Sequence, residues 1–262
     1  MVDAVFVDQA KEFYEQNGYY LWRGFFDQQE IKTIYDATQR LWIDKILDKQ
    51  IIQDSSFPLI SLFPPHRGIM EDQLLWEYAV HPRILSVVAQ FLGEQPLIVG
   101  STCFFKPPGD KGLALHQDNF EIGASPEGTC AAWVSIEKSE KVNGGLMFVP
   151  GSHKLGLIPP IALGHHSYFG QLVSVPTGYK LVQLDTLPGD VVFFDGNVIH
   201  GSKANVSKNR WRRAFVTHYV KENIKSIYVN HNFLRSTDGN IIKRKLNKEH
   251  VITRMLHREK RK

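Results

Sequence analysis

The sequence predicts a mainly β protein with flanking helices, whose core is an antiparallel sandwich or barrel of the kind that includes the double-sheet jelly roll. Over residues 5–50 the apolar residues recur at spacings of three and four, which is typical of amphipathic helices. Over residues 97–220 they alternate or form short runs, and turns rich in Gly and Pro separate these runs without intervening helices. With 262 residues, of which 43% are hydrophobic, the chain can bury one sizeable core, and we expect a single domain over 1–262.

Residues 1–96 are predicted to form a helical module ahead of the core. The pair Asn17-Gly18 breaks the first helix. Asp27 is followed three residues later by Glu30, a spacing that fits an N-cap with a carboxylate in the first turn of the second helix. The module is completed by a short strand over 19–22 and a further helix over 72–92, ended by Gly93 and Pro96.

Seven strands are predicted in the core, residues 97–220. Each is a short apolar or alternating segment bounded by a turn signal such as Pro107-Pro-Gly109, Asn143-Gly-Gly145 or Pro188-Gly189. Short strands at such spacing favour antiparallel pairing. The predicted strands are 97–105, 130–136, 146–149, 172–175, 179–184, 190–194 and 214–220.

Residues 221–262 form a basic C-terminal segment. It holds 12 Lys and Arg against 4 Asp and Glu, a net charge of +8, whereas the rest of the chain holds 19 against 23, a net charge of −4. We interpret the segment as a solvated end with a helix near 248–256, so nucleic acid is not expected as a partner. Contact with a phosphate, a nucleic acid or an anionic membrane is the alternative.

Targeting signals and membrane spans are not apparent in the sequence. No stretch approaches the roughly 18 uninterrupted apolar residues that a bilayer crossing needs, and the chain begins with the acidic Met1-Val-Asp3. Cys103 and Cys130 are too few for a disulfide framework or a thiolate zinc site. These features predict a soluble cytoplasmic protein without a membrane span, and they leave the oligomeric state open.

His116-Gln-Asp118 is a candidate metal-binding motif. Residues two apart on a strand, or at its end, lie on one face, so the imidazole and the carboxylate can converge on one ion. His200 ends an apolar stretch and presents a second imidazole from a rigid sheet. His257-Arg-Glu259 has a related form, but it lies in the basic segment without a downstream partner, and we assign it no role.

Two histidines and one aspartate form the facial triad of non-heme Fe(II) oxygenases. Three protein ligands on one face leave three positions open, of which a bidentate 2-oxo acid takes two and dioxygen the third. Imidazole and carboxylate suit Fe(II), whereas thiolates would favour zinc or a cluster. His116, Asp118 and His200 therefore predict an iron oxygenase that consumes a 2-oxo acid and O2.

Arginines open the predicted strand that follows His200. A guanidinium there can bind a carboxylate bidentately, which a lysine cannot. Alternation puts Arg212 and Arg213 on opposite faces, so only one of them can point into the core, and Arg210 lies close by. The alternative is that these charges protect a sheet edge.

Five segments follow one another in an order shared with one enzyme family. They are Phe13-Tyr-Glu-Gln-Asn-Gly-Tyr19, Lys106-Pro-Pro, Leu115-His-Gln-Asp118, Asn143-Gly-Gly-Leu-Met-Phe-Val-Pro-Gly-Ser-His153, and Pro188-Gly-Asp-Val with His200-Gly-Ser202 and Arg212-Arg-Ala. Each segment is short, but together they are specific. The sequence resembles the phytanoyl-CoA dioxygenase family of Fe(II)/2-oxoglutarate oxygenases over most of its length.

The resemblance implies a double-stranded β-helix (jelly roll) core with an N-terminal helical module. It implies Fe(II), 2-oxoglutarate and O2 as cofactor and co-substrates. The implied reaction is hydroxylation of an unactivated C–H bond of a small-molecule metabolite, with release of succinate and CO2. The implied site residues are His116, Asp118 and His200 as iron ligands, Ser202 and Arg212 at the distal carboxylate of 2-oxoglutarate, and Trp133 beside the co-substrate.

Several alternatives to this reaction and to this class stay open. Desaturation, epoxidation and ring formation compete with hydroxylation, whereas Asp118 argues against chlorination, because halogenating relatives typically have Ala or Gly there. A cupin-like metal isomerase, a sugar-binding jelly roll, or a binding protein that docks a partner through 221–262 would belong to other classes. The first two would not require Arg212, and the intact metal ligands argue against the third.

Other conspicuous residues receive structural interpretations. His153 follows a tight turn and is predicted to have a structural role. The pair His165-His166 lies in a Gly-flanked loop and is predicted to be exposed. His218 is predicted to be a hydrogen-bonded core histidine, although its parity with Arg212 leaves contact with the site as the alternative. Core packing is an equal alternative for Trp133 and for three candidate walls of the substrate pocket, Phe63, Phe104 and Phe120.

Overall fold

A seven-stranded and a four-stranded antiparallel sheet pack face to face in the computed structural model, which describes residues 4–48, 72–162, 171–228 and 232–249. The helices are α1 (Ala4–Asn17), α2 (Gln28–Leu47), α3 (Gln73–Ala79), α4 (Pro82–Leu92) and α5 (Asp118–Ile122). The strands are β1 (Tyr19–Trp22), β2 (Pro96–Lys106), β3 (Leu113–His116), β4 (Thr129–Ser135), β5 (Leu146–Phe148), β6 (Ile161–Ala162), β7 (Gln171–Leu172), β8 (Val182–Gln183), β9 (Val191–Asp195), β10 (His200–Ser202), β11 (Arg212–Lys221), β12 (Ser226–Ile227), β13 (Phe233–Arg235), β14 (Ile241–Lys243) and β15 (Lys245–Leu246).

The strand order places segments that are distant in sequence next to each other. The large sheet runs β1-β9-β4-β11-β2-β13-β14 and the small sheet runs β3-β10-β5-β8. Within the described residues, β6 with β7 and β12 with β15 form two further pairs. The predicted mainly β jelly-roll class is confirmed.

Side chains of the large sheet alternate between two environments, as the period of two requires. On β4, Trp133 belongs to the apolar cluster between the sheets together with Phe148 of β5. The next residue, Val134, belongs to the cluster on the opposite face, under the helices. The large sheet thus separates the interior of the sandwich from the helical layer.

The helices of the N-terminal region cover the outer face of the large sheet. Ile34 of α2 and Leu75 of α3 are buried in the same cluster as Phe105 of β2. Tyr219 on β11 is also buried there, and its hydroxyl donates a hydrogen bond of 2.6 Å to the carbonyl oxygen of Ala79 at the end of α3. This bond ties the helical layer to the centre of the sheet, because it satisfies a buried polar pair.

Three helix boundaries bear on the predictions. The capping box at the start of α2 is confirmed, since the Asp27 carboxylate accepts from the Glu30 amide and the Glu30 carboxylate accepts from the Asp27 amide. The single helix predicted over 72–92 is wrong, because Pro82 has no N–H to continue the first helix and instead starts α4. Gly93 ends α4 with a left-handed φ of 71°, as predicted.

The sheets extend beyond the predicted core of 97–220. β1 pairs with β9, and β13 and β14 lengthen the large sheet from the C-terminal segment. The strands predicted over 172–175 and 179–184 are only two residues long, because the intervening Pro176 cannot donate to a ladder and its neighbours are largely exposed. The division into 1–96, 97–220 and 221–262 stays a prediction.

The described part of the chain contains no helix with the length and apolar character that a bilayer crossing needs. The helix predicted near 248–256 falls almost entirely outside the described residues, and so does the motif at 257–259.

Candidate active site

His116 and His200 lie side by side in the small sheet. β3 and β10 pair antiparallel, and the two residues are Cα partners in this pairing. Their ring centroids are 4.2 Å apart. The structure therefore brings together the two imidazoles that the sequence analysis assigned to one ion.

Asp118 joins them from the first turn of α5. Its Oδ1 lies 3.4 Å from Nε2 of His116 and 3.6 Å from Nε2 of His200. One ligand atom from each residue lies within 4.8 Å of the others, and we call these three residues the ligand cluster. The carboxylate converges on the imidazoles because the chain turns from strand to helix after His116, not because of alternation along a strand.

Gln117, between the two motif residues, anchors this turn. Its amide is fully buried, and Nε2 donates to the carbonyl oxygens of Gly156 at 2.8 Å and Asn197 at 2.6 Å. Its Oε1 accepts from the Ile158 amide at 2.7 Å. With both amide ends bonded, Gln117 fixes the backbone on which its two neighbours are mounted.

Backbone carbonyls set the tautomers of both histidines. Nδ1 of His116 is 2.7 Å from the Ala114 carbonyl oxygen, and Nδ1 of His200 is 3.1 Å from that of Val198. A carbonyl oxygen only accepts, so Nδ1 carries the proton and Nε2 presents a lone pair to the ligand cluster. This is the form in which histidine binds a metal.

The charge states of His200 and Asp118 also suit a metal. Burial lowers the pKa of His200 to about 4, since the protonated ring loses its hydration between Phe148 and Phe194. Burial alone would raise the pKa of Asp118, but His200 and His218 hold it well below its usual range. A neutral imidazole and an ionised carboxylate are the forms that coordinate a cation.

His218, on β11, contacts the ligand cluster directly. Its Nε2 lies 3.1 Å from Oδ2 of Asp118. The other carboxylate oxygen, Oδ1, is the one nearer to the imidazoles of His116 and His200. A carboxylate only accepts, so His218 donates this bond and holds Oδ2 while Oδ1 faces the cluster. The core interpretation favoured for His218 by the sequence was wrong, and the alternative suggested by its parity with Arg212 holds.

Replacing His218 with alanine is expected to weaken metal binding about 10-fold, because partners that orient ligating residues typically contribute that much. Titration of metal-free protein with Mn(II) by calorimetry measures the affinity. His218→Gln, which keeps an N–H donor, is expected to retain most of it, and His153→Ala serves as a control outside the cluster. Equal Mn(II) affinity of His218→Ala and wild type would contradict this role.

Arg212 is a buried cation that forms no ion pair with any described residue, although the buried carboxylate of Asp110 is close enough to act on it electrostatically. It is 3% exposed at the start of β11, and its guanidinium carbon lies 5.8 Å from the ring centroid of Trp133. In the described ranges no carboxylate lies within ion-pair distance of it, and its Nε has no hydrogen-bond partner. A buried guanidinium needs a partner of opposite charge, so the arrangement fits an incoming carboxylate.

The two neighbouring arginines are occupied elsewhere. Arg210 is exposed and forms an ion pair with Glu140, and Arg213 pairs with Glu137. Neither is a free cation inside the sandwich. The geometry therefore favours Arg212 over Arg210 at a ligand carboxylate.

Ser202 lies on β10, two residues after His200, and it is buried. Its Oγ accepts a hydrogen bond of 2.8 Å from Nζ of Lys106. Lys106, at the end of β2, is in turn the cross-strand partner of Arg212. Ser202 and Arg212 therefore both lie beside a lysine to which the sequence analysis gave no role.

The remaining candidate residues fall into three groups. Nε2 of His153 bonds the Glu15 carbonyl oxygen at 3.1 Å, as expected of a structural residue. Phe104 packs against the cluster that contains Trp133, and Phe120 is buried. The two positions outside the described residues are His165-His166 and Phe63.

The sequence of the chain is similar to those of known dioxygenases. The family model described as Phytanoyl-CoA dioxygenase (PhyH) matches residues 14–214. The chain belongs to this family. A probable phytanoyl-CoA dioxygenase of Caenorhabditis elegans is 29% identical over 238 residues, which cover 82% of this chain and 76% of that protein. An ectoine dioxygenase of Bordetella bronchiseptica is 28% identical over 236 residues, which cover 82% and 74%.

Solved structures share the fold of this PhyH family member. EctD from S. alaskensis in its apoform superposes with a TM-score of 0.68 at 20% identity, covering 86% of this chain and 79% of that one. The epimerase SnoN in complex with Fe3+, alpha ketoglutarate and nogalamycin RO gives a TM-score of 0.68 at 20% identity, covering 85% and 86%.

The donor set of the ligand cluster agrees with the family. It offers two imidazole nitrogens and one carboxylate oxygen, which suit iron. The two thiols, Cys103 and Cys130, are buried in the helix-facing core and do not reach it. This PhyH family member is a 2-oxoglutarate-dependent non-heme iron dioxygenase, with iron as its metal and 2-oxoglutarate and O2 as co-substrates.

Proposed function

We propose that the protein hydroxylates an unactivated C–H bond of a small-molecule metabolite. Substrate, O2 and 2-oxoglutarate give the alcohol, succinate and CO2, with one oxygen atom of O2 in the alcohol and the other in succinate. When bound, the iron supplies the redox chemistry that couples decarboxylation of the 2-oxo acid to oxidation of the substrate.

The observation that supports this proposal best is a three-donor ligand cluster in the same interior as a buried arginine that forms no ion pair within the described ranges. A cupin-type isomerase or a sugar-binding jelly roll would use strand-borne histidines, but it would have no need of Arg212. Asp118 occupies the position at which halogenating relatives typically have Ala or Gly, and this supports hydroxylation over halogenation.

The side chains of the chain bind and orient in this proposal. The ligand cluster holds the iron through Nε2 of both histidines and a carboxylate whose second oxygen is fixed by His218. The Arg212 guanidinium and the Ser202 hydroxyl bind the distal carboxylate of 2-oxoglutarate. Trp133 lies against Arg212, keeps water from it and so strengthens the ion pair that it can form.

Removal of the metal is expected to abolish turnover. Treatment with EDTA should stop succinate formation from 2-oxoglutarate, because the chelator competes with the three side chains of the ligand cluster for the metal. Addition of Fe(II) should restore succinate formation. Succinate is measured with and without candidate substrates. Succinate formation that survives chelation would contradict the proposal, and so would its absence with Fe(II) in both the uncoupled and the substrate-driven reaction.

Substrate identity is tested by screening metabolites for stimulated decarboxylation of 2-oxoglutarate. Relatives are named for phytanoyl-CoA and for ectoine, so an acyl-CoA and a small amino-acid derivative are the first two chemistries to test. A product that is heavier by one oxygen atom supports hydroxylation, whereas loss of two hydrogens indicates desaturation or ring closure. Oxygen gained by an alkene indicates epoxidation.

A cytoplasmic location is part of the proposal. The bovine and human relatives are named peroxisomal, so the two compartments are the alternatives to compare. Fractionation of cells that express the full chain distinguishes them, and recovery with peroxisomes would contradict the cytoplasmic assignment.

A further inference from the structure

Part of the basic C-terminal segment forms a β-hairpin at one edge of the large sheet. β13 and β14 pair antiparallel, and β13 also pairs with β2. Among the described residues, β14 has a strand neighbour on one side only. Residues 241–248 hold four cations, Lys243, Arg244, Lys245 and Lys248, and no acidic residue. The proposed reaction gives this hairpin no role.

One face of the hairpin is anchored in the core. Leu234 is fully buried, and Ile242 packs against the same apolar cluster. The Arg244 guanidinium donates to the carbonyl oxygen of Glu222 at 2.7 Å. Farther along the chain, Nδ2 of Asn247 donates to the carbonyl oxygen of Gly123 at 2.9 Å. The hairpin and the residues after it are therefore a fixed part of the fold.

The opposite face of the hairpin presents apolar side chains to water. Because side chains alternate along a strand, Phe233, Arg235, Ile241 and Lys243 lie on the face opposite Leu234. We call these four residues the hairpin patch. Phe233 is 56% exposed and Ile241 is 62% exposed. The register sets Phe233 opposite Lys243 and Ile241 opposite Arg235, so each apolar side chain lies beside a cation.

The cations of this region are available to a partner. Lys243, Lys245 and Lys248 are exposed, and no residue in the described ranges forms an ion pair with any of them. Leu246 adds a further exposed apolar side chain. Exposed apolar groups among cations match a surface that offers negative charge with hydrocarbon beneath it. A nucleic acid would match the charges, but it offers little for Ile241 and Leu246 to pack against.

We propose that the hairpin patch binds the surface of an anionic phospholipid membrane. Phe233 and Ile241 enter the layer of lipid headgroups, and Arg235, Lys243 and Lys245 contact the negative charges of the lipids. Binding is peripheral, since the described part of the chain contains no helix that could cross a bilayer. The proposal does not depend on the reaction proposed above, because it involves neither the ligand cluster nor 2-oxoglutarate.

Vesicle binding by the full chain tests the proposal. Co-sedimentation is measured with phosphatidylcholine vesicles that contain or lack phosphatidylserine, at low and at high salt. The wild type is expected to bind only the vesicles with phosphatidylserine, and more weakly at high salt. Phe233→Ser/Ile241→Ser is expected to bind them about 10-fold more weakly, because it removes the apolar contribution. Lys243→Gln/Lys245→Gln is expected to lose about 30-fold, since each cation near such a surface contributes roughly five-fold.

Ile43→Ser/Leu47→Ser is the matched control. It removes two exposed apolar side chains of α2 that lie beside Asp44 and Asp48 instead of cations, and it is expected to bind vesicles like the wild type. The Tm of each variant is compared with that of the wild type, and little change is expected because the replaced side chains are exposed.

Four results would overturn the proposal. They are a wild type that does not bind the anionic vesicles, equal binding to vesicles of phosphatidylcholine alone, a Phe233→Ser/Ile241→Ser variant that binds as well as the control, and a loss of binding confined to variants whose Tm falls. Polyglutamate is tested in parallel. If it binds the wild type and the vesicles do not, the hairpin patch recognises an acidic polypeptide and the membrane proposal is wrong.

Discussion

Replacing Asp118 with alanine is expected to lower succinate formation by about 1000-fold or more, because metal-ion catalysis contributes several kcal/mol of transition-state stabilisation. The change removes the carboxylate that lies 3.4 and 3.6 Å from the two imidazoles, and only two ligands remain. His116→Ala is expected to have the same effect. Mn(II) binding and succinate formation are measured on both variants.

The fold is expected to survive these changes. The two residues flank Gln117, whose hydrogen bonds to Gly156, Asn197 and Ile158 hold the turn independently of the ligand cluster. Circular dichroism and Tm check this point, and His153→Ala provides a control imidazole outside the cluster. Wild-type turnover in Asp118→Ala, or loss of activity that only follows unfolding, would contradict the assignment.

Replacing Arg212 with alanine is expected to raise the 2-oxoglutarate requirement about 100-fold, because a bidentate ion pair in a dry interior contributes two charged hydrogen bonds. Turnover at saturating co-substrate should change much less, since the ligand cluster is intact. Arg212→Lys is expected to restore little, because an ammonium group cannot form the bidentate pair. The KM for 2-oxoglutarate and kcat are measured for each variant.

Arg210→Ala is the matched control for this prediction. Arg210 lies two residues away in sequence, but it is exposed and pairs with Glu140 at the surface. Its replacement is expected to leave the KM for 2-oxoglutarate unchanged. A raised KM in Arg210→Ala together with a normal KM in Arg212→Ala would show that the co-substrate is bound at another place.

The sequence predicted the elements whose physical cause is local. The strand over 19–22 and the capping box of Asp27 and Glu30 depend on neighbouring residues, and both occur where expected. The break at Pro82 was missed, because the apolar spacing continues through it and only the absent N–H interrupts the helix. The ligand cluster was predictable because His116 ends an apolar strand and His200 directly follows the apolar pair Val198-Ile199.

Contacts across the sandwich were harder to predict. Parity places His218 and Arg212 on one face of β11, but it does not indicate which of them comes within 3.1 Å of a ligand carboxylate. Lys106 shares the parity of Phe104, which faces the interior, so a signal for its burial was present. It was overlooked because a lysine at the end of a strand is normally exposed, and only the pairing with Arg212 shows otherwise.

The site proposed for the distal carboxylate of 2-oxoglutarate takes one residue from each sheet. Ser202 belongs to the small sheet, whereas Arg212 belongs to the large one. Bound 2-oxoglutarate would therefore bridge the two sheets. The bridge would be lost in each catalytic cycle, when the succinate formed from 2-oxoglutarate dissociates. The mechanical stiffness of the sandwich would then rise and fall once with every catalytic round.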